Sequence, residues 1–172
     1  DEYGEFTRGS DLVFAMYYAI ECDVNIINAS FGVSGYNAFE DVVQLAYDSD
    51  IICVASAGND ETSSLAYPAA CEKVIGVGAL ASNSWILADY SNYGENVNVV
   101  APGTVYTTTL EGEYDFYNGT SFSAPMVSGI IALYMQNEKY STFDEIQEIL
   151  YASCYDLGNQ GCDMYYGFGA VD

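Results

Sequence analysis

Histidine is absent from all 172 residues of this sequence. Histidine is the usual general base at neutral pH, because its side chain gains and loses a proton there. A serine hydroxyl is a poor nucleophile until a neighbouring base takes its proton. The absence therefore excludes any mechanism in which a histidine of this chain activates a serine.

Positive charge is scarce. The chain has 3 Lys and Arg against 25 Asp and Glu, which gives a formal net charge of -22. Such a chain repels a phosphate backbone and an anionic membrane surface, so nucleic acid and membrane are excluded as partners. We interpret the excess of carboxylates as a highly soluble surface rather than as a dedicated site for cations or basic peptides.

Long hydrophobic runs are also missing. No window approaches the roughly 18 apolar residues that a membrane span needs. The chain opens Asp1-Glu2-Tyr3-Gly4, without an initiator Met or a signal segment, so we expect a processed protein or a piece of a longer one. Hydrophobic residues make up 51% of the chain, which is enough for one globular domain over residues 1–172.

Five cysteines leave at least one without a partner. Cys154 and Cys162 flank a short polar loop and could form a disulfide in an oxidising compartment. Cys53 lies in an apolar run and is interpreted as a small core residue. The cysteine pattern is compatible with both an oxidising and a reducing compartment.

Hydrophobic periodicity predicts alternating helices and strands. The predicted apolar face of the second helix is Phe39, Val42, Val43 and Ala46, and the predicted interior of the helix after Ser121 is Ala124, Met126, Val127, Ile130, Ile131 and Leu133. Ser10 is a candidate cap for a first helix. A short β-branched run over 24–28 predicts a buried strand, and its neighbours are a helix and another strand, which indicates a parallel sheet. The predicted helices cover 11–22, 37–48, 121–136 and 143–152; the predicted strands cover 24–28, 51–56, 74–79 and 97–101; a hairpin is predicted over 105–118 and an extended tail over 166–169.

Ser121 stands between the hairpin and an apolar helical run and has two interpretations. A serine before such a run is most often a helix cap. As a nucleophile, it would gain from the positive end of the helix dipole and from the exposed N–H groups there. From its local sequence alone, Ser121 is more commonly expected to be a helix cap than a nucleophile.

Five segments, in their order along the chain, favour the interpretation of Ser121 as a nucleophile. They are Asn28-Ala29-Ser30-Phe31-Gly32, Ala55-Ser56-Ala57-Gly58-Asn59, Tyr67-Pro68-Ala69, Val100-Ala101-Pro102-Gly103 and Asn118-Gly119-Thr120-Ser121 with Ser123-Ala124-Pro125 after it. In this order they resemble the subtilisin-like serine proteases, the subtilase or peptidase S8 family. The resemblance implies a three-layer α/β/α domain with a mostly parallel sheet that lacks its N-terminal strands, so that residues 1–172 form a single partial peptidase domain.

The same resemblance implies the chemistry. Ser121 would be the nucleophile of an endopeptidase, and Asn59 would donate to the oxyanion of the acyl-transfer intermediate together with the Ser121 N–H. The substrate would be a polypeptide, and the protein would be secreted or extracellular. The rival hypothesis is a non-catalytic peptide-binding or regulatory protein on the same scaffold.

Substrate-binding residues are also implied by the resemblance. An extended peptide would add as a strand along Ser30, Phe31 and Gly32. Ser56 and Ala66 would line the pocket for the side chain before the cut bond, Gly32 and Gly58 would leave room for the chain, and Thr120 would complete the site. Asp60 and Glu61 near the pocket rim predict tolerance of basic side chains. The family likeness also makes Pro68 a candidate cis proline.

Parts of the family pattern are missing. No Asp matches the family's catalytic Asp motif, so neither Asp nor His is assigned, and the isolated chain is expected to be nearly inactive. A separate polypeptide that supplies the missing N-terminal half of the domain is a candidate partner. The backbone carbonyls of Ala69, Cys71 and Val74 resemble a weak cation site, but Asn98 stands where the family often has a carboxylate. No metal is assigned, and calcium remains a candidate cofactor of the full-length protein.

Overall fold

A computed structural model of the chain describes residues 8–35, 38–136 and 142–171. Within these ranges four parallel strands form one sheet in the order β1-β2-β3-β4, and an antiparallel pair, β5 and β6, follows. The strands are β1 (Ile26–Ala29), β2 (Ile52–Ser56), β3 (Val74–Leu80), β4 (Val99–Pro102), β5 (Thr104–Thr108) and β6 (Tyr114–Asn118); the helices are α1 (Gly9–Glu21), α2 (Ala38–Asp48), α3 (Thr120–Met135) and α4 (Phe143–Ser153). The predicted α/β fold with a parallel sheet is confirmed.

Alternate residues of the buried strands face opposite layers of helices. Cys53 and Ala55 of β2 pack in one core with side chains of α1 and α2. Ile52 and Val54 of the same strand pack in a second core with side chains of α3 and α4. A central parallel strand that is covered on both faces is apolar on both, which is why residues 52–55 of β2 include no polar side chain.

The starts of the first two helices differ from prediction. Ser10 does not cap α1, because the helix begins at Gly9 and its N-cap, Arg8, makes no side-chain cap bond. The predicted start of α2 at Asn37 lies outside the described residues. The apolar face predicted for α2 is confirmed, since Phe39, Val42, Val43 and Ala46 are all buried.

β1 is less buried than its composition predicts. The strand covers Ile26–Ala29, and of its four residues only Ala29 is buried. The reason is position, because β1 pairs with β2 on one side and is the last strand of the described sheet. A strand at the edge of a sheet shares the hydrophobic pattern of a central one but not its burial.

The C-terminal segment lies against the sheet, as expected of a tail on the domain, but residues 166–169 form a turn rather than the predicted extended chain, with the Gly169 N–H donating to the Tyr166 carbonyl at 2.9 Å. The Phe168 N–H donates to the Asn98 carbonyl at 2.8 Å, and the Gly169 carbonyl accepts from Val100 at 2.9 Å. All five cysteines are free thiols, including Cys154 and Cys162, and Cys53 is buried in the core as predicted. Within the described ranges no helix has the length and apolar character that crossing a membrane would require.

Helix α3 packs against both the sheet and α4, and Ser121 lies in its first turn. Ile131 on this helix is fully buried. Replacing Ile131 with Ala is expected to lower the free energy of unfolding by about 2–5 kcal/mol, because the truncation leaves a cavity against β2 and β3. Urea denaturation followed by circular dichroism measures the loss.

Leu133→Ala on the same helix is the matched control. Leu133 is 64% exposed, although it stands in the same apolar run of sequence. Its truncation is expected to change stability by about 0.5 kcal/mol or less. Equal losses for the two variants would contradict the packing of α3 against the sheet.

Candidate active site

Ser121 is not a helix cap. The N-cap of α3 is Gly119, which makes no side-chain cap bond, and its φ of 155° lies in a region that side chains disfavour. The Ser121 hydroxyl instead donates to the Ser30 carbonyl at 3.2 Å. The cap interpretation is therefore wrong, and the hydroxyl points away from the helix toward the end of β1.

A reciprocal bond fixes the backbone under Ser121. Pro125 has no N–H, so it cannot donate to the carbonyl four residues earlier, which belongs to Ser121. The Ser30 hydroxyl fills that place and donates to the Ser121 carbonyl at 2.8 Å. Two serines 91 residues apart thus hold each other through both backbone carbonyls.

The partner of the Ser121 hydroxyl is not a base. An amide carbonyl accepts a hydrogen bond but does not accept a proton at neutral pH. The arrangement orients the Ser121 oxygen without activating it. Cysteines offer no competing nucleophile in the core, because burial raises the pKa of Cys53 and of Cys71 to about 12 and that of Cys154 to about 11.

Asn59 lies beside Ser121 through its contact with Thr120. Its side-chain oxygen accepts from the Thr120 N–H at 2.9 Å and from the Thr120 hydroxyl at 3.0 Å. The same hydroxyl accepts from the Gly58 N–H at 3.2 Å. Because these bonds occupy Oδ1, both hydrogens of Nδ2 remain available as donors. Nδ2 lies near the start of α3, since a Cβ added to Gly119 would be 3.4 Å from it and 3.8 Å from the Ser121 nitrogen.

The Ser121 N–H provides a second donor. It belongs to the first turn of α3, where N–H groups have no partner inside the helix and the helix dipole is positive. Two donors of this kind can stabilise an oxyanion that forms on a carbonyl bound next to the Ser121 hydroxyl. A pair of such donors is one part of what acyl transfer requires, and a base for the serine proton is another.

The predicted substrate-binding residues lie near the carboxyl ends of β1 and β2. Ser56 ends β2 and is buried, and residues 30–32 follow β1 directly. A Cβ added to Gly32 would lie 2.8 Å from the Ala66 Cβ, so these two residues are in close contact. Val33 and Tyr67 exchange backbone hydrogen bonds of 3.0 Å, and the Tyr67–Pro68 bond is cis, as predicted. Roles in binding for Ser30, Phe31, Gly32, Ser56, Gly58, Ala66 and Thr120 stay predictions.

Asn92 is a residue of this site that the sequence did not single out. It is 1% exposed and its side chain bonds to four backbone groups of the loop that carries Asn59. The segment Ser91–Asn92–Tyr93–Gly94 looks like an ordinary turn. No local pattern signals that its amide reaches a loop about 30 residues earlier.

Two asparagine side chains near the segment that resembles a weak cation site are hydrogen-bonded to the backbone. The Asn98 side-chain oxygen accepts from the Gly76 N–H at 2.7 Å, and the Asn96 amide donates to the Ala70 carbonyl at 2.6 Å. In the described part of the chain no group of three or more His, Cys, Asp or Glu side chains could hold a metal. Calcium prefers several carboxylate and carbonyl oxygens, and calcium as a cofactor of the full-length protein stays a prediction.

Comparison with known proteins gives one consistent result. The model of the subtilase family of peptidases matches residues 4–169. The chain is 34% identical to subtilisin DY of Bacillus licheniformis over 95% of its own length and 60% of that protein, and 34% identical to subtilisin NAT of Bacillus subtilis subsp. natto over 94% of its length and 43% of that protein. The chain thus spans about half the length of these relatives.

Solved structures give the same picture. The fold superimposes on a lanthipeptide protease with a TM-score of 0.88 and 26% sequence identity, covering 99% of this chain and 65% of that one. The prenylagaramide maturation protease PagA gives a TM-score of 0.82 at 26% identity, with 94% of this chain and 64% of that one covered.

Proposed function

Since the chain belongs to the subtilase family of serine peptidases, we propose that it supplies the nucleophile and the oxyanion hole of an endopeptidase. Peptide bonds would be cleaved through an acyl-enzyme on Ser121. The observation that carries the proposal is the bonding of Asn59 to Thr120, because it leaves the Nδ2 donors of Asn59 free near the start of α3, where Ser121 lies.

In the proposed reaction the Ser121 oxygen attacks the carbonyl carbon of the substrate and its proton passes to a general base. The carbonyl oxygen becomes negative and is bound by the Asn59 amide and the Ser121 N–H. The C–N bond then breaks, the base returns the proton to the leaving amine, and water hydrolyses the ester on Ser121.

The general base is proposed to come from polypeptide outside these 172 residues. The chain contains no histidine, and it spans 60% of subtilisin DY. In subtilisin the catalytic residues follow the order Asp, His, Ser along the chain. A chain that carries only the Ser segment needs the other two residues from elsewhere, and alone it is proposed to be nearly inactive.

Substrate peptide is proposed to add as an extended strand along Ser30, Phe31 and Gly32, where the Ser121 hydroxyl already contacts the Ser30 carbonyl. Asp60 and Glu61, which are both exposed, would favour basic side chains near the pocket. An extracellular location is proposed as well, because one relative, 32% identical over 90% of this chain, is the minor extracellular protease Epr of Bacillus subtilis.

Covalent capture by a fluorophosphonate tests the proposed nucleophile. The Ser121 oxygen would form a bond to phosphorus, fluoride would leave, and the serine proton would pass to solvent. We expect slow labelling over hours, because no base assists, with the adduct located on the peptide that contains Ser121. Intact-mass spectrometry followed by peptide mapping measures the result.

Ser121→Ala is expected to abolish this labelling. Ser128→Ala is the matched control, because Ser128 lies two turns further along α3 and bonds to Asn28 and Ala124 rather than to the site. Its labelling is expected to equal that of the wild type. Uptake of the probe at another residue, or undiminished labelling of Ser121→Ala, would refute the assignment.

A further inference from the structure

We infer that Asn92 is a positioning residue, which holds the loop of residues 57–64 so that the Asn59 amide faces the reacting carbonyl. The inference rests on the proposed function, since it assigns Asn92 a role that acts through Asn59. Asn92 lies in the segment that follows β3, and it is one of five buried polar residues in the described part of the chain.

The Asn92 side chain closes both ends of this loop. Its oxygen accepts from the Asp60 N–H at 2.8 Å and from the Thr62 N–H at 3.2 Å. Its nitrogen donates to the Ala57 carbonyl at 3.1 Å and to the Ser64 carbonyl at 3.2 Å. Two N–H groups on one side and two carbonyls on the other fix the orientation of the amide, and its full bonding capacity is used.

The backbone adds a fifth bond and a steric constraint. The Asn92 N–H donates to the Gly58 carbonyl at 3.0 Å. A Cβ on Gly58 would lie 2.3 Å from the Asn92 side-chain nitrogen, and the φ of Gly58 is 109°. Gly58 thus makes room for the Asn92 amide directly before Asn59, which explains why a glycine is needed at this position.

Asn59 itself has few other restraints. It is exposed, and the bonds to its side chain come from Thr120. Its backbone direction is set by its neighbours Gly58 and Asp60, and both are bonded to Asn92. A donor must already be in place when the oxyanion forms, because a loop that has to reorganise loses much of the stabilisation. Asn92 supplies that rigidity from the buried side of the loop.

Hydrogen exchange tests the contact without requiring any reaction. In Asn92→Ser the Asp60 and Thr62 N–H groups lose their acceptor, so amides of residues 57–64 are expected to exchange about tenfold or more faster. Amides of β3 are expected to change much less. Ser91→Ala is the matched control, because Ser91 is equally buried but accepts from the Ala79 N–H and donates to the Asn92 carbonyl. Unchanged exchange over 57–64, or the same change in Ser91→Ala, would overturn the inference.

A double-mutant cycle tests whether Asn92 acts through Asn59. The rate of fluorophosphonate labelling at Ser121 is measured for the wild type, Asn59→Ala, Asn92→Ser and the double variant. We expect Asn92→Ser to be slower by about tenfold, and the double variant to be no slower than Asn59→Ala, since a misplaced donor and a missing one have the same consequence. Additive losses would overturn the inference. A wild-type chain that takes up no probe would count against the proposed function, while the exchange measurement still decides whether Asn92 holds the loop.

Discussion

The 172-residue chain by itself is expected to hydrolyse a peptide p-nitroanilide with a kcat about 10⁶-fold below that of subtilisin DY. The estimate follows from a measured property of subtilisin, in which removal of the catalytic histidine or serine costs about 2 × 10⁶ in kcat. This chain has no histidine, and the Ser121 hydroxyl is bonded to a carbonyl that cannot take its proton. The rate of p-nitroaniline release at neutral pH, with both proteins at equal concentration, measures the difference.

The same experiment has an internal control. In subtilisin, losing one of these residues costs about as much as losing the whole triad, because they act as a unit. Ser121→Ala is therefore expected to change the residual turnover of this chain only slightly, although it abolishes covalent capture. Rapid turnover that disappears in Ser121→Ala would show that another group of this chain serves as the base.

Asn59→Ala is expected to slow the labelling of Ser121 by about 10²–10³. Loss of the asparagine donor in the oxyanion hole of subtilisin has this effect on kcat, and the value is taken from that enzyme. The physical reason is the same here, because the phosphonyl oxygen would lose the Asn59 Nδ2 donor. The second-order rate constant, obtained from intact masses over time at several probe concentrations, measures it.

Two comparisons separate this effect from unfolding. Asn83→Ala removes an exposed asparagine whose amide contacts the neighbouring Ser82, and it is expected to label like the wild type. Circular dichroism is expected to show the same helix content for all three proteins. A labelling rate within about threefold of the wild type for a folded Asn59→Ala would exclude Asn59 as the main oxyanion donor.

The fold was largely predictable because its signals are local. The apolar spacing of Phe39, Val42, Val43 and Ala46 defined the buried face of α2, and the continuous apolar run over β2 indicated a strand covered on both sides. Errors arose where burial depends on neighbours distant in sequence. β1 has the composition of a central strand but lies at the edge of the described sheet, and Leu133 shares an apolar run with Ile131 but is exposed.

Site residues divide in the same way between those with a local sequence signal and those that depend on contacts with distant residues. Ordered motifs predicted site roles for Ser121 and Asn59, because a family motif consists of residues that are neighbours in sequence. The local evidence for Ser121 alone favoured a cap, and only the structure excluded that role, because Gly119 is the N-cap of α3 and the Ser121 hydroxyl donates to the Ser30 carbonyl. Asn92 gave no signal at all, since its four side-chain partners lie 28 to 35 residues earlier in the chain.

By itself, then, the sequence determined the family, predicted Ser121 as the nucleophile, and showed that this chain has no histidine to activate it. Those conclusions need only the identity and order of residues. Tertiary structure decided how Ser30 replaces the N–H that Pro125 lacks, how Thr120 turns the Asn59 amide, and how Asn92 holds the loop behind it. Hydrogen bonds between distant segments depend on distance and direction in space, and a linear pattern of residues contains neither.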